Sequence, residues 1–100
     1  MPNSVADFPW KYKHVDGSTQ IAVSICVLHT IVVNGLTTAG DITLHDSGDD
    51  TGPVIAVLHL DPTTSVSVQP ITLTYDIKCE HGLYLAYDQA VAADLTVSHM

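Results

Sequence analysis

The feature that most constrains the fold is an alternation of apolar and polar side chains along the chain. In the segment PITLTYDIK the apolar side chains occupy every second position: Ile71, Leu73, Tyr75 and Ile77. Because successive side chains of a β-strand point to opposite faces, this pattern predicts a strand with one face on a core and one in water. The segments QIAVSICVL, DITLHD and DLTVS alternate in the same way and predict the inward residues Ile21, Val23, Ile25, Val27, Ile42, Leu44, Leu95 and Val97.

Turn-forming residues separate these segments. Such signals stand at Asp16-Gly17, Asn34-Gly35, Ser47 to Gly52, Asp61-Pro62 and His81-Gly82. With weaker strands in WKYKHV, TSVSVQP and GLYLAY, they indicate about seven to nine short strands spaced roughly 8–14 residues apart. The fold class is therefore predicted to be all-β, an antiparallel β-sandwich or jelly roll. The one candidate helix, DQAVAA, is too short to be stable alone.

The chain is predicted to form one domain with an extended N-terminal arm. Its 100 residues correspond to about one domain, and its 46% of hydrophobic residues supply a single core. Residues 1–9 show no alternation, so they are assigned to the arm, and residues 10–100 to the β-sandwich. A plain disordered tail is the alternative. Phe8 and Trp10 are candidate anchors, because buried aromatic side chains contribute strongly to binding.

The charge balance excludes several partners. Eleven acidic and three basic residues give a formal net charge of -8, and the basic residues are Lys11, Lys13 and Lys78. A chain of this charge repels phosphate backbones and anionic lipid headgroups, so neither nucleic acid nor a membrane is an expected partner. The longest apolar run, Ile21 to Val33, is interrupted by polar residues and predicts no membrane span.

The two cysteines, Cys26 and Cys79, are too few to indicate a disulfide framework. Cys26 stands in an apolar segment, so it is predicted to be a buried free thiol. Whether the two cysteines lie near each other is left open by the sequence.

The acidic segment HDSGDDTGP, residues 45–53, has three possible interpretations: a calcium loop, a pair of catalytic acids, or a turn. Counted from Asp46, the positions where an EF-hand loop needs an oxygen ligand, a glycine and a glutamate hold Gly48, Thr51 and Val57. A turn explains the segment better, since Asp46 can accept hydrogen bonds from nearby backbone N–H groups and the glycines tolerate a positive φ. We therefore expect no metal, no cofactor and no catalytic residue here.

The six histidines do not predict a zinc site. A hairpin closed by residues 35–40 would place His29 against Asp46 as a polar cross-strand pair. In the next hairpin His45 and His59 would lie roughly 17 Å apart, at about 3.4 Å per residue, which is too far to share a zinc ion. No serine has the context of a catalytic nucleophile, so the chain is predicted not to be an enzyme.

The segment VIAVLHL, residues 54–60, is apolar on both predicted faces. If Asp46 lies opposite Pro53, Ile55 and Val57 join the core face. The outward face then carries Val54, Ala56, Leu58 and Leu60. Because an apolar outer face is unfavourable on a water-facing strand of a monomer, these four residues are the predicted oligomer interface.

Several stretches of the chain resemble a known group of proteins. They are YKHVDGSTQIAV, VLHTIVVNG, GDITLHDSGDDTGPVIAVLHL, ITLTYDIKCEHGLYLAY and AADLTVSHM, and they cover most of the chain from Trp10 onward. In them the chain is similar to small virion proteins of tailed phages, of the head decoration or capsid cement type. Cys79-Glu80-His81 and the ending Ser98-His99-Met100 depart from the pattern of that group.

The resemblance implies a bacteriophage capsid decoration protein that binds the outer shell and stabilises neighbouring coat subunits without catalysis. The implied partner is the major capsid protein, which Phe8 and Trp10 of the arm would contact. A homo-oligomer, preferably a trimer, is implied as well, on the capsid surface of a virion assembled in the host cytoplasm. The alternative is a phage tail or host-surface adsorption module, in which Tyr84 and Tyr87 stack on glycan rings.

Overall fold

The computed structural model describes residues 10–62 and 71–100. In these ranges the chain forms eight β-strands and no helix, and hence no helix that could cross a membrane. The strands are β1 (Lys11–Val15), β2 (Thr19–Ala22), β3 (Cys26–Thr38), β4 (Gly40–His45), β5 (Val54–Leu60), β6 (Ile71–Cys79), β7 (Leu83–Tyr87) and β8 (Ala92–His99). The predicted all-β class is confirmed. The segment TSVSVQP and the arm, residues 1–9, lie outside the described residues.

The strands form two antiparallel sheets of four, ordered β1-β8-β3-β6 and β2-β7-β4-β5. β1 pairs with β8, β2 with β7, β3 with β6 and β4 with β5. The chain is therefore one long hairpin, with β4 and β5 at its tip, whose successive pairs alternate between the two sheets. Pairing of β3 with β8 and of β4 with β7 completes the sheets. This double-sheet arrangement of eight strands has the topology of a jelly roll.

Inward side chains from both sheets fill a single core. Those that are at most 1% exposed are Val15, Leu28, Ile31, Val33, Ile42, Leu44, Cys79, Leu83, Leu85, Leu95 and Val97. Facing sheets pack about 10 Å apart with interdigitated side chains, so each sheet excludes water from the other. The inward positions predicted for DITLHD, DLTVS and PITLTYDIK are confirmed, since those residues lie in this core or pack against it.

The prediction that QIAVSICVL forms one strand is wrong. β2 ends in the second sheet and β3 begins at Cys26 in the first, so residues 23–25 cross between the sheets. Val23 and Ile25 are exposed, at 72% and 58%, whereas Cys26 points into the core. Ile21 packs against the core as predicted. The predicted inward side chains were at odd-numbered positions, whereas β3 begins with an even-numbered inward residue, because the chain changes sheets between the two strands.

The predicted hairpin of β3 and β4 is also wrong. β3 continues through Asn34 and Gly35 to Thr38, and β4 belongs to the opposite sheet. β3 pairs instead with β6 and β8, which follow much later in the chain. The expected pair of His29 with Asp46 is therefore not formed. His29 lies in β3 and Asp46 directly follows β4, and these two strands belong to different sheets.

The candidate helix DQAVAA is a turn followed by the start of β8. Oδ1 of Asp88 accepts hydrogen bonds from the backbone N–H groups of Ala90 at 2.8 Å and Val91 at 2.9 Å. Oδ2 of the same carboxylate accepts the N–H of Asp41 at 2.7 Å. One aspartate thus fixes the turn and joins it to β4, and this local hydrogen bonding replaces the predicted helical turn.

Candidate functional site

Three connections meet at one end of the sandwich. Residues 23–25 join β2 to β3, residues 46–53 join β4 to β5, and residues 80–82 join β6 to β7. The start of β1 and the end of β8 lie at the same end, since Lys11 pairs with His99 and Met100 exchanges backbone hydrogen bonds with Val27.

This end carries most of the exposed large apolar side chains of the described residues. They are Tyr12 at 76%, Val23 at 72%, Ile25 at 58%, Val54 at 57% and Met100 at 49% exposure. We call this set of five the apolar end. One further residue of this kind, Val57 at 41%, lies in the middle of β5. Apolar side chains that gather in one region, rather than scattering singly, indicate an interaction surface.

A carboxylate holds the connections of the apolar end together. Asp46 accepts hydrogen bonds from the backbone N–H groups of His81 at 2.8 Å and Glu80 at 3.1 Å. The hydrogen bond from His81 is the main reason that the pKa of Asp46 lies below its usual value. Nε2 of Gln20 donates to the carbonyl oxygen of Gly48 at 2.6 Å. These bonds join the β4–β5 connection to residues 80–82 and to β2, so hydrogen bonds within the fold hold this part of the apolar end.

The acidic segment HDSGDDTGP is confirmed as a turn, with two corrections. Asp49, rather than Asp46, accepts hydrogen bonds from the residue two positions later. Oδ1 of Asp49 accepts the hydroxyl of Thr51 at 2.6 Å and the backbone N–H of Thr51 at 2.9 Å. The hydroxyl bond is the main reason for the lowered pKa of Asp49. Within the described residues positive φ among glycines occurs at Gly82, so Gly52 is needed for space: a Cβ there would overlap the side chain of Ser47.

Histidines pair with aspartates on the outer faces of both sheets. Nε2 of His14 lies 2.8 Å from Oδ1 of Asp94, and Nδ1 of His59 lies 2.9 Å from Oδ1 of Asp41. The described residues contain no group of three histidine, cysteine or acidic side chains that could hold a metal ion. The first of these pairs lies on the first sheet and the second on the second sheet.

Trp10 is fixed on the first sheet. Its ring stacks on His29 with centroids 4.3 Å apart and planes inclined by 15°. Nδ1 of His29 is hydrogen-bonded to Oδ1 of Asp76. Asp76 has a φ of 50° at an irregularity in the pairing of β3 with β6, a conformation that aspartate adopts more readily than most residues. The predicted anchor Trp10 thus belongs to the folded domain, and residues 1–9 join the domain at the apolar end. Phe8 lies outside the described residues.

The predicted register of β5 is right at the turn and wrong beyond it. The N–H of Asp46 donates to the carbonyl of Pro53 at 2.8 Å, and His45 pairs with Val54 as expected. A bulge then inserts Ile55, so that Leu44 pairs with Ala56. One inserted residue exchanges the two faces of a strand.

The bulge corrects the predicted oligomer interface. Ala56, Leu58 and Leu60 now share the face of the core residues of β4, Leu60 is only 7% exposed, and Leu58 packs against the core. Val54 remains exposed at the apolar end. The four residues therefore do not form one outward face, and contact with a second subunit remains a prediction.

An apolar groove of about 330 Å³ lies between β5 and β6, the edge strands of the two sheets. Its apolar lining consists of Val33, Val57, Leu58, Leu60, Ile71 and Leu73. Two of the predicted interface residues thus border an open side of the sandwich rather than its outer face.

The two tyrosines predicted to stack on glycans are half-buried. The hydroxyl of Tyr87 donates to the carbonyl oxygen of Ala93 at 3.1 Å, and burial raises its pKa. Tyr84 and Tyr87 therefore do not offer an open aromatic platform. Tyr12, which the sequence did not single out, is the exposed tyrosine.

Val23 and Ile25 are the site residues that sequence reasoning missed. Both were assigned to the core because they continue the alternation begun at Ile21. The signal against that assignment was the run ICVL, residues 25–28. It is apolar at every position, so the alternation that begins at Ile21 does not continue through it, and the inward residues before and after it need not share one parity.

Comparison of the chain with protein-family models, with curated proteins and with solved structures found no match.

Proposed function

We propose that the protein is a bacteriophage capsid decoration protein that docks its apolar end on the outer shell and stabilises neighbouring coat subunits. The observation that carries this proposal is the gathering of exposed apolar side chains at one end of a jelly roll. The resemblance of the sequence to phage decoration proteins names the partner, the major capsid protein. The jelly roll is also an architecture of viral capsid domains, which agrees with the proposal at the level of fold.

The apolar end offers the kind of binding energy that a docking surface needs. Full burial of one valine or isoleucine side chain contributes about 1.5–3 kcal/mol before the costs of association. Because Asp46 and Gln20 already hold the β4–β5 connection against residues 80–82 and against β2, little ordering of that connection is required on binding. A preformed surface keeps more of its gross interaction energy as affinity.

The N-terminal residues add to the same surface. Trp10 is held against His29, so residues 1–9 join the domain beside the exposed side chains rather than at the opposite end. Phe8 would then bind the shell next to the apolar end. A second contact from the same subunit raises affinity through effective concentration.

Oligomerisation would act in the same direction. We propose a homotrimer, with the groove between β5 and β6 as the surface for subunit contact, because Leu58 and Leu60 border that groove. Three apolar ends on one trimer would bind a lattice of coat subunits far more tightly than one end. No catalytic step is assigned, and the proposed location is the capsid surface of the virion.

The test is rebinding to capsid shells of the source phage from which this protein has been removed. Wild-type protein is expected to bind saturably at a stoichiometry set by the lattice. The double variant Val23→Lys/Ile25→Lys is expected to bind at least about tenfold more weakly, since about 1.4 kcal/mol suffices for that change. Thr72→Lys/Thr74→Lys is the matched control, because it places the same two charges on exposed residues of β6 that belong neither to the apolar end nor to the lining of the groove.

Deletion of residues 1–9 is expected to weaken rebinding while the melting temperature stays within about 2 °C. Failure of wild-type protein to bind shells, or equal losses for Val23→Lys/Ile25→Lys and the control Thr72→Lys/Thr74→Lys, would contradict the proposal.

Adsorption to a host glycan is the second candidate, and the exposed ring of Tyr12 favours it. In that case a glycan array or host cells would retain the wild-type protein, Tyr12→Ala would abolish retention, and shells would not compete.

A further inference from the structure

The first sheet holds its two cysteines directly opposite each other. Cys26 is the first residue of β3 and Cys79 the last residue of β6, and they are partners in the antiparallel register. Both side chains are buried on the core face, with exposures of 6% and 1%. Both thiols are free.

This register satisfies the geometric requirement for a disulfide. Partners in an antiparallel pair have Cα atoms about 4.5 or 5.5 Å apart, depending on the hydrogen-bonding of the pair. Both values fall inside the range of about 4.4–6.8 Å that a disulfide accepts. Because the two side chains also point to the same face, the backbone need not move for a bond to form.

We propose that Cys26 and Cys79 form a reversible dithiol–disulfide pair that locks β3 to β6 beside the apolar end. The disulfide bond would form in an oxidising compartment, and the two thiols would remain free in a reducing one. It would close a loop that contains the β4–β5 tip of the jelly roll and would fix residues 23–25 and 80–82, which flank the two cysteines. This inference does not depend on what the apolar end binds.

The two thiols differ in reactivity. Burial raises the pKa of Cys26, and a hydrogen bond from Cys79 opposes this by stabilising the Cys26 thiolate. Burial raises the pKa of Cys79 to about 12, and the neighbouring Cys26 adds to the effect. Since the thiolate is the nucleophile and Cys26 is also the more accessible, Cys26 reacts first and Cys79 second.

With oxidised glutathione as the oxidant, the exchange is balanced. The Cys26 thiolate attacks one sulfur of glutathione disulfide, the S–S bond breaks, and one glutathione thiolate leaves. The Cys79 thiolate then attacks the Cys26 sulfur of the mixed disulfide and displaces the second glutathione. The protein loses two electrons and two protons, and two glutathione molecules gain them.

The experiment equilibrates the folded full-length protein with oxidised glutathione at about pH 8. The sample is then acid-quenched, unfolded, alkylated and analysed by mass spectrometry. Wild-type protein is expected to lose both alkylation sites, to show a peptide joining Cys26 to Cys79, and to melt roughly 10 °C higher until a reductant reverses the shift. The variants Cys26→Ser and Cys79→Ser are expected to show no such shift. Cys79→Ser, which retains Cys26, should gain a glutathione adduct faster than Cys26→Ser, which retains Cys79.

Wild-type protein that retains two alkylatable thiols at equilibrium, or that gains only glutathione adducts or intermolecular bonds, would overturn the proposal. If a serine variant loses its circular dichroism signal, the alanine variants replace it. The reductant-dependent melting of wild-type protein decides the question without any variant.

Discussion

The two ends of the sandwich are built from the same strands but expose different chemistry. The apolar end presents Val23, Ile25 and Val54 to solvent. The far end, formed by residues 16–18, 39, 61–62 and 88–91, has no exposed large apolar side chain among the described residues. Acidic residues occur at both ends: Asp16, Asp41, Asp61, Asp88 and Asp94 lie at or near the far end, and Asp46, Asp49, Asp50 and Glu80 at the apolar end.

The difference shows that exposure of apolar side chains at one end is not a by-product of the fold. At each end an aspartate of one connection accepts backbone N–H groups of another element, Asp46 those of residues 80 and 81 at the apolar end and Asp88 that of Asp41 in β4 at the far end. The two ends thus solve the same structural problem in the same way. What distinguishes them is the set of exposed apolar side chains, which the described residues of the far end lack.

The largest expected effect tests whether the apolar end is rigid. Gly82 has a φ of +140°, and a Cβ there would lie 2.7 Å from the carbonyl oxygen of Ala22. Gly82→Ala is therefore expected to cost about 3 kcal/mol of unfolding free energy, from backbone strain and steric overlap together. Gly17, at the far end, has nothing within 4 Å of such a Cβ, so Gly17→Ala should change stability by less than about 0.5 kcal/mol. Urea denaturation measures both, and equal costs would show that the apolar end is not tightly built.

The next effect concerns the side of the sandwich, where the groove between β5 and β6 is the proposed surface for subunit contact. Leu58 packs against the core and borders the groove, so Leu58→Lys should cost about 2 kcal/mol and release a folded monomer from the oligomer. Thr72, an exposed residue of β6 that does not line the groove, is the control, and Thr72→Lys should cost less than about 1 kcal/mol and leave the oligomer intact.

Light scattering with circular dichroism gives the oligomeric state and the fold of both variants. A monomeric Thr72→Lys would move the interface to the outer face of β6, and a monomeric wild-type protein would remove subunit contact from the groove altogether.

Local patterns predicted the strands and the tip of the fold. Alternation placed Ile42, Leu44, Leu95 and Val97 in the core, because it depends only on the geometry of one strand. The hairpin of β4 and β5 was predicted because a short turn of glycine, aspartate and proline joins its strands. Its closing bond, from Asp46 to Pro53, lies where the sequence placed it.

Long-range pairing was beyond the same reasoning. Lys11 pairs with His99, and no periodic pattern relates residues so far apart in the chain. The nearest-neighbour hairpin of β3 and β4 was the natural expectation, but the chain changes sheets at every connection except the β4–β5 turn. The strands of a jelly roll can therefore be predicted from the sequence, but the way in which they pair cannot.

The candidate site was the least predictable part. The face assignment of β5 failed on one inserted residue, Ile55, because a bulge leaves no mark in an apolar run. The exposure of Val23 and Ile25 follows from a crossing between sheets, which is itself a long-range property. The pairing of Cys26 with Cys79 depends on the β3–β6 register for the same reason.

The smallest expected effect at neutral pH concerns the two aspartates that close the ends. Backbone hydrogen bonds lower the pKa of both Asp46 and Asp88 below the reference value of 3.8, the N–H of His81 acting first on Asp46 and that of Asp41 first on Asp88. A carboxyl group whose pKa is lower in the folded protein stabilises it fully above the unfolded pKa and progressively less as the pH falls through the folded pKa. Asp46→Asn and Asp88→Asn should therefore lower the urea midpoint at about pH 7, and the deficit of each variant should shrink at about pH 3.

Asp50→Asn, an equal change of charge at an exposed position of the same turn as Asp46, is the control and should stay close to wild type at both values. Only Asp46→Asn should also weaken shell binding, because Asp46 holds the connection of residues 80–82 at the apolar end. A deficit that stays constant between the two pH values would mean that the ionised carboxylates do not contribute. Equal losses of shell binding in both end variants would place the docking surface elsewhere than the apolar end.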